Sequence, residues 1–456
     1  MQGTEFGLWT SLTVFFTDKN MKNDYSSTTN SFLGKTKIFS HEYLRSCLFL
    51  MGSDAQKHTF TKKLYLKLSN STQLLEDFLD YHGAKNNSDW YFYRELTAAV
   101  RHLSKACYPL KHITNRLHYY DISGSREFVD AGNVTLGFLN QALIGMAPVI
   151  IEEARRLKIP IPENSYDATR FPDIVTTDML DYDIDDHHRD IQKQSIVTIA
   201  SDFFKIAKQL SKLEFFEPYS ARKMFEIVPA KINEVITRQY EMQIHNLQST
   251  FDTYVIHGGF KLGDKKLKSL RSTFSLVLHL FQAMGCLLHF YERHLYDVGY
   301  KNVYKKTHDR LADLINKEAI LDRTINFGLF YVCHFLSMGK SIAKDILNEN
   351  IERSAVTVGI PLNLGFHSRP SLLVAKIVQH YGGQVELCVN NDRFDASSVL
   401  DIQWAGGKIQ KENISEVIFE GDIRSLEDIK ILAGVNYGEN TMGRGIDLPE
   451  ELDYLK

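Results

Sequence analysis

The chain has 456 residues, of which 44% are hydrophobic and 24% charged, and its formal net charge is -3. This composition excludes the disordered and collagen-like classes, and the length predicts more than one domain. The near-zero charge gives no global basic field for nucleic acid or an anionic membrane surface. The five cysteines form no CxxC pair, so we expect no disulfide framework, no cysteine-built zinc site and a cytoplasmic location.

Two apolar runs, 272–291 and 325–338, require a membrane test. A spanning helix needs ~20 predominantly apolar residues, but two histidines and a glutamine interrupt the first run, and the second is shorter. We therefore expect buried core helices and no membrane insertion. The apolar run 8–16 follows Glu5 with no basic residue before it, which predicts that it is not a secretory signal.

Residues 39–350 carry apolar side chains at helical spacing, and the alternation typical of strands is almost absent. A short helix is predicted at about 74–83, with Ser71 or Thr72 as its N-cap. Pro229 is expected to end or kink a longer helix. The longer helical patterns lie at 90–103, 134–157, 191–213, 221–254, 267–296 and 320–346.

The pattern changes at about Ser354. Short alternating runs then predict strands, and Gly382 ends the first helix between them. Ser425 with Asp428 resembles a capping box for the last helix. The predicted order is βαββαβα, an α+β open-faced sandwich with its helices on one face. We thus expect a multidomain chain: a flexible N-terminus at 1–38, a large all-α domain of unrecognised family at 39–350, the α+β domain at 351–435 and a C-terminal tail at 436–456.

The segment GFHSRPS, residues 365–371, lies between the first predicted strand and helix of the α+β domain. It places His367 at a helix N-terminus, where free backbone NH groups and the helix dipole attract an anion such as phosphate. Pro370 is tolerated there because its missing NH removes no helical bond. A histidine with one free ring nitrogen is a nucleophile toward a phosphoryl group, and Arg369 can neutralise the incoming charge. The pattern predicts that His367 and Arg369 act on a phosphoryl group, which Ser368 and Arg369 help to bind.

This segment and the predicted element order resemble HPr, the histidine phosphocarrier of the bacterial sugar phosphotransferase system. The resemblance covers about residues 354–433. It implies that His367 accepts a phosphoryl group on its δ nitrogen from Enzyme I, with Arg369 in support. In that family a serine opens the short middle helix and is phosphorylated by a kinase in some bacteria, and Ser398 occupies the matching position. A simple N-cap is the alternative for Ser398, because serine favours that position.

Two other groups suggest metal ligands. The acidic string 181–190, DYDIDDHHRD, faintly resembles the DHH phosphoesterases, but ligands adjacent in sequence rarely converge on one ion. We expect these residues to form the solvent-exposed start of a helix instead. His279, His289 and His294 lie on one predicted apolar helix, for which core or interface packing is the expectation. We therefore predict no metal site and no cofactor.

These observations favour an HPr-like phosphocarrier or regulatory protein that accepts a phosphoryl group on His367 and signals through the helical region. The expected partners are an Enzyme I-like donor and an unidentified regulated protein. Net charges of +3 before Ile351 and -6 from Ile351 onward favour contact between the two parts only weakly, because exposed charges are screened. Two alternatives remain open: a scaffold that uses the α+β domain only for docking, and a metal-dependent hydrolase in the helical region regulated by that domain. A stand-alone enzyme is not expected.

Overall fold

The computed structural model describes residues 31–52, 60–120, 122, 125–175, 180, 193–211, 215, 217–256, 265–296 and 301–455. The N-terminal part is helical, and short π-helical turns continue its seventh, eighth and tenth helices. The helices of this part are α1 Phe32–Met51, α2 Lys62–Tyr81, α3 Tyr91–Arg116, α4 Ser125–Arg156, α5 Lys193–Ser211, α6 Ala221–Ile227, α7 Glu234–Phe251, α8 Lys265–Phe290, α9 Asn302–Leu314, α10 Lys317–Asp322 and α11 Phe330–Asn350.

Side-chain caps account for several helix starts. In each case an oxygen of the N-cap side chain accepts a hydrogen bond from a backbone NH of the first turn. These caps are Ser31, Thr61, Ser220, Asn233 and Asn316. The predicted break at Pro229 is confirmed: the residue lies between α6 and α7, and it has no NH to continue the helical ladder.

The predicted N-cap at Ser71 or Thr72 is wrong. Helix α2 begins earlier, at Lys62, and both residues lie inside it. Their hydroxyls donate to backbone carbonyls of the preceding turn, at 2.8 Å for Ser71 and 2.6 Å for Thr72. A hydroxyl bonded in this way is satisfied within a helix, so its presence does not mark a helix start.

Helices α3 and α8 form the centre of the helical part. Helix α3 packs against α2, α4 and α8, and α8 packs in addition against α7 and α11. By length and composition alone, Arg126–Arg156 and Lys265–Tyr296 could each span a membrane. In the most apolar 18-residue window of each stretch, 50% of the first and 78% of the second is buried inside the protein. Packing against α3, α7 and α11 accounts for the apolar sequence of the second stretch, which contains the run 272–291.

The C-terminal part contains a four-stranded antiparallel sheet with strand order β1-β4-β2-β3. The order of its elements is as predicted, βαββαβα. They are β1 Arg353–Gly359, α12 Ser368–Tyr381, β2 Val385–Val389, β3 Asp392–Asp395, α13 Val399–Lys411, β4 Glu416–Asp422 and α14 Ile423–Gly434.

The core of this part includes residues from the predicted tail. Every second residue of β2 points into the core. These residues are Val385, Leu387 and Val389, and they pack against the apolar faces of the three helices. Tyr437, Leu452 and Leu455 are buried in the same core. Residues 436–455 therefore pack onto the sheet domain. At the other end of the chain, α1 begins within the predicted flexible N-terminus.

The predicted capping box at Ser425 is wrong. Strand β4 continues directly into α14, and Asp422 is the N-cap, accepting from the NH of Arg424 at 3.1 Å. The carboxylate of Asp422 also binds the guanidinium of Arg424 at 2.7 Å. Ser425 lies inside the helix, and its buried hydroxyl has no hydrogen-bond partner among the described residues.

The two parts meet through α5 and the end of α11. The contacts lie around the C-terminal end of α12, where a Cβ on Gly382 would come within 3.0 Å of the Phe204 ring. Two hydrogen bonds accompany this packing. They join Arg424 Nη1 to Ser201 Oγ at 2.9 Å, and the NH of Gln384 to Asn348 Oδ1 at 3.0 Å.

Candidate functional site

A tight turn between β1 and α12 presents His367. Leu364 and Gly365 both have positive φ angles, 55° and 59°, and the NH of His367 donates to the carbonyl of Gly365 at 2.8 Å. A Cβ on Gly365 would meet nothing within 4 Å, so the left-handed backbone, and not lack of space, favours glycine. His367 is the N-cap residue of α12, and its carbonyl accepts from the NH of Ser371 at 3.1 Å.

The first turn of α12 has features that favour an anion. It contains no acidic residue, and the side chain of His367 makes no capping hydrogen bond to the described backbone. The NH groups of Ser368 and Arg369 precede the first intrahelical donor, and Pro370 has no NH. Because Ser368 and Arg369 are exposed, an anion can reach these NH groups and the guanidinium.

The His367 ring lies between two oxygen atoms. Its Nε2 is 3.1 Å from Oε1 of Glu439, and its Nδ1 is 3.1 Å from the carbonyl oxygen of Gly365. The imidazole side chain is 29% exposed, so it remains reachable from solvent. In a neutral ring one nitrogen carries the proton, and the charged carboxylate is the stronger acceptor. The contact with the Gly365 carbonyl nevertheless has full hydrogen-bond geometry, and because a carbonyl only accepts, it requires a proton on Nδ1. The lone pair of Nδ1 is available only when the ring turns away from this carbonyl and Nε2 keeps the proton toward Glu439.

Glu439 is the residue of this site that the sequence did not indicate. Its side chain is 1% exposed, and neither carboxylate oxygen has a partner of full hydrogen-bond geometry within the described chain. An isolated β-bridge between Glu439 and Gly445 closes the loop that carries it. The carboxylate reaches His367 only because the tail folds back over the start of α12. Nothing local in the sequence around Glu439 predicts that path.

Arg369 also lies against the tail. Its Nε is 3.8 Å from Oε1 of Glu439, and a Cβ on Gly445 would come within 1.5 Å of its Nη1. Gly445 therefore leaves the space that the guanidinium occupies. The side chain of Arg369 is half exposed, so its ion pair with Glu439 is screened by solvent and can be exchanged for a stronger anionic partner.

Ser398 is the N-cap of α13. Its hydroxyl accepts from the NH of Asp401 at 3.3 Å, the arrangement of the simple capping alternative. Helix α13 packs closely against the loop that carries His367. A Cβ on Gly406 would come within 3.0 Å of the carbonyl oxygen of Phe366, so glycine permits this close approach. Ser398 thus has a structural role that is independent of any modification.

Exposed apolar side chains belong to the segments that meet at this site. They lie in the loop before His367, on α13 and in the tail, and the amide of Asn363 ties loop to tail by donating to the carbonyl of Asn440 at 3.1 Å. The exposed residues are Leu362, Leu364, Leu400, Trp404 and Met442. Exposed apolar side chains of this kind suit contact with a protein partner.

The three histidines of the apolar helix do not form one group. Nδ1 of His279 lies 2.8 Å from Gln282 Oε1, and its ring contacts His112. His289 and His294 instead come together with His102 of α3. Burial lowers the pKa of His102 and of His289, which favours neutral rings.

The acidic string 181–190 lies outside the described residues. Comparison with known proteins finds no matching family model, no matching curated protein and no matching solved structure.

Proposed function

We propose that residues 351–435 form an HPr-like phosphocarrier domain that accepts a phosphoryl group on His367. The observation that carries this proposal is the placement of His367 at the open N-terminus of α12, with Arg369 beside it and a carboxylate against Nε2. The element order, which the HPr resemblance implies, supports it independently. The donor would be an Enzyme I-like protein.

The transfer needs only groups that are present at this site. The lone pair of Nδ1 attacks phosphorus, the bond from phosphorus to the donor breaks, and the donor atom keeps that electron pair. The ring gains positive character as the new bond forms, and Glu439 beside Nε2 stabilises it. Arg369 and the NH groups of Ser368 and Arg369 bind the oxygens of the transferred group. Before attack, Nδ1 must turn away from the carbonyl of Gly365.

Labelling with Enzyme I and labelled phosphoenolpyruvate tests this proposal. We expect the intact protein to take up label that is acid-labile and base-stable, as phosphohistidine is. His367→Ala should abolish the uptake, whereas His380→Ala, a change on the same helix, should leave it unaltered. Arg369→Ala should fold normally and accept phosphate about 10²-fold more slowly, because it removes one electrostatic donor. Equal labelling of His367→Ala and the intact protein would refute the assignment.

The proposed role is regulatory and cytoplasmic: the phosphorylation state of His367 reports phosphotransferase flux to a partner. The exposed apolar residues around His367 support docking of that partner. They also favour the second candidate, a scaffold that docks without phosphoryl transfer. Absence of label with an active Enzyme I, together with retained binding to it, would favour the scaffold.

A further inference from the structure

Three histidines converge at the centre of the helical part. His102 comes from α3, His289 from the end of α8, and His294 from the π-helical turn that continues α8. Each offers a ring nitrogen, and these three atoms lie within 4.8 Å of one another. The rings of His102 and His289 stack with their centroids 4.1 Å apart. Two elements that are distant in sequence thus bring three nitrogen donors to one point.

A carboxylate lies against each of two of these rings. Nδ1 of His294 forms a hydrogen-bond contact of 2.6 Å with Oε2 of Glu95, whereas Nδ1 of His289 lies 2.9 Å from Oε1 of Glu234, at ion-pair distance but without full hydrogen-bond geometry. Both carboxylates are buried. A metal-binding histidine commonly presents its second ring nitrogen to a carboxylate, which fixes the ring and raises the basicity of the ligating nitrogen. The Nε2 atoms of His289 and His294 are therefore the ones left for a ligand.

His102 supplies an independent sign of a missing partner. The residue is 4% exposed, and its Nδ1 has no hydrogen-bond partner among the residues that the structure describes. A buried polar atom without a partner is costly, so native proteins seldom leave one. Its Nε2 lies 2.8 Å from Nη2 of Arg101. Ligation through Nδ1 moves the ring proton to Nε2, and Arg101 then has to turn toward Glu76, which already lies 2.6 Å from its Nε.

We propose that His102, His289 and His294 bind a divalent transition metal of the zinc class, with Glu95 and Glu234 as the carboxylates that orient the ligands. Three imidazoles suit Zn²⁺ and leave a coordination position open. His289 and His294 line a cavity of about 490 Å³ whose wall contains both basic and acidic side chains, among them Arg94, Arg101 and Glu76. The open position therefore adjoins a polar space that can hold water.

The competing explanation is a metal-free ion network. In that network Arg94 pairs with both Glu95 and Glu76, Arg101 also pairs with Glu76, and the ring of His294 bonds to Glu95. The two explanations differ at Arg101. In the network Arg101 is stabilising, whereas in the metal site its charge opposes the ion. Removing Arg101 should therefore tighten metal binding if the histidines form a metal site. If they form only an ion network, removing Arg101 should not produce metal binding.

The test uses the full chain, stripped with a chelator and then dialysed against Zn²⁺ or Co²⁺. We expect one ion per chain by elemental mass spectrometry, and visible absorption from four-coordinate Co²⁺. His102→Ala should lose the ion. His279→Ala, which lies on α8 with His289 but outside the cluster, should keep it. Glu234→Gln should weaken binding about 10- to 100-fold. Arg101→Met should bind more tightly than the unaltered chain.

Circular dichroism of each metal-free variant checks its folding, and Glu234→Gln provides the same test if His102→Ala does not fold. A chain that retains no stoichiometric metal would overturn the proposal. So would metal that survives both His102→Ala and Glu234→Gln. In that case the double variant His187→Ala/His188→Ala would show whether the ion is held by the string 181–190 instead.

Discussion

Glu439 bears on which ring nitrogen of His367 carries the proton. A carboxylate 3.1 Å from Nε2 stabilises a proton there, and the lone pair of Nδ1 then becomes available for the proposed transfer once the ring turns away from the carbonyl of Gly365. The same carboxylate is 3.8 Å from Arg369, and it competes with phosphate for the guanidinium. In the proposed transfer, one residue thus favours the attack and opposes the binding of the phosphoryl oxygens. The first effect should dominate, because Glu439 is buried against the ring whereas Arg369 is half exposed.

We therefore expect Glu439→Gln to slow phosphoryl acceptance at His367. A loss of ~1.4 kcal/mol in preference between the two ring tautomers corresponds to a tenfold loss of the reactive form. The rate of label uptake from Enzyme I measures the effect, and Glu416→Gln, an exposed acid of the same domain, is the control. A faster rate in Glu439→Gln would mean that competition for Arg369 is the main role of the carboxylate.

A second carboxylate should affect stability in acid. Burial raises the pKa of Glu42, but hydrogen bonds from Lys67 and Tyr166 and the charge of Lys67 outweigh burial and lower it to about 2. A carboxyl whose pKa is lowered by folding contributes stability above its unfolded value of 4.5, and this contribution is lost as the pH falls toward about 2. Denaturant midpoints measured from pH 5 downward should fall less in Glu42→Gln than in the control Glu163→Gln. Parallel slopes would contradict the pairing.

At the scale of the elements, the packing of α11 on α5 and α8 depends on Gly339. A Cβ at this position would come within 2.6 Å of the Phe203 ring and 2.8 Å of the Thr273 methyl group. Both neighbours are buried, so they have little space to retreat. Gly339→Ala should therefore lower the free energy of unfolding by roughly 1 to 3 kcal/mol, the usual cost of overpacking.

Gly137 provides the matched control for this measurement. It lies in α4, is exposed, and a Cβ there would meet nothing within 4 Å. Gly137→Ala should raise the free energy of unfolding by roughly 0.5 to 1 kcal/mol, because alanine loses less conformational freedom in a helix. Urea unfolding of both variants decides the matter. Equal effects would show that helix propensity, and not the contact with Phe203, governs position 339.

The sequence predicted elements well where the signal is local. Helical periodicity, the break at Pro229 and the position of His367 at a helix start all depend on residues a few positions apart. The N-cap at Ser71 or Thr72 and the capping box at Ser425 were assigned wrongly, because a hydroxyl side chain can also lie inside a helix. Glu439 and His102 could not be predicted, since each acquires its role only when distant elements pack together.

For the whole molecule, the position of His367 relative to the helical part matters most. The two parts meet near Gly382, at the C-terminal end of α12, and His367 is at the N-terminal end. With 14 residues in the helix and a rise of ~1.5 Å per residue, the two ends are ~21 Å apart. That distance exceeds the screening length of ~8 Å in physiological salt. The charge that the proposed phosphorylation would add at His367 should therefore have little direct effect on the contact between the two parts.

Hydrogen exchange with and without the phosphoryl donor should therefore show altered protection only from residue 351 onward. This result would indicate a carrier whose acceptor face is free for a partner. Arg424→Ala, which removes the bond to Ser201, should increase exchange at the contact and leave labelling of His367 unchanged. Protection changes in α5 or α11 after phosphorylation would instead show that the two parts exchange a signal.

The folding back of residues 436–455 also limits how the C-terminal domain can be produced separately. A recombinant fragment that stops at residue 435 would lack Tyr437, whose ring packs against Phe366 and whose hydroxyl donates to the carbonyl of Gly359 at 2.8 Å. It would also expose the apolar surface that Leu452 and Leu455 cover. An excised domain suitable for crystallisation or titration with a donor protein should therefore extend to Leu455.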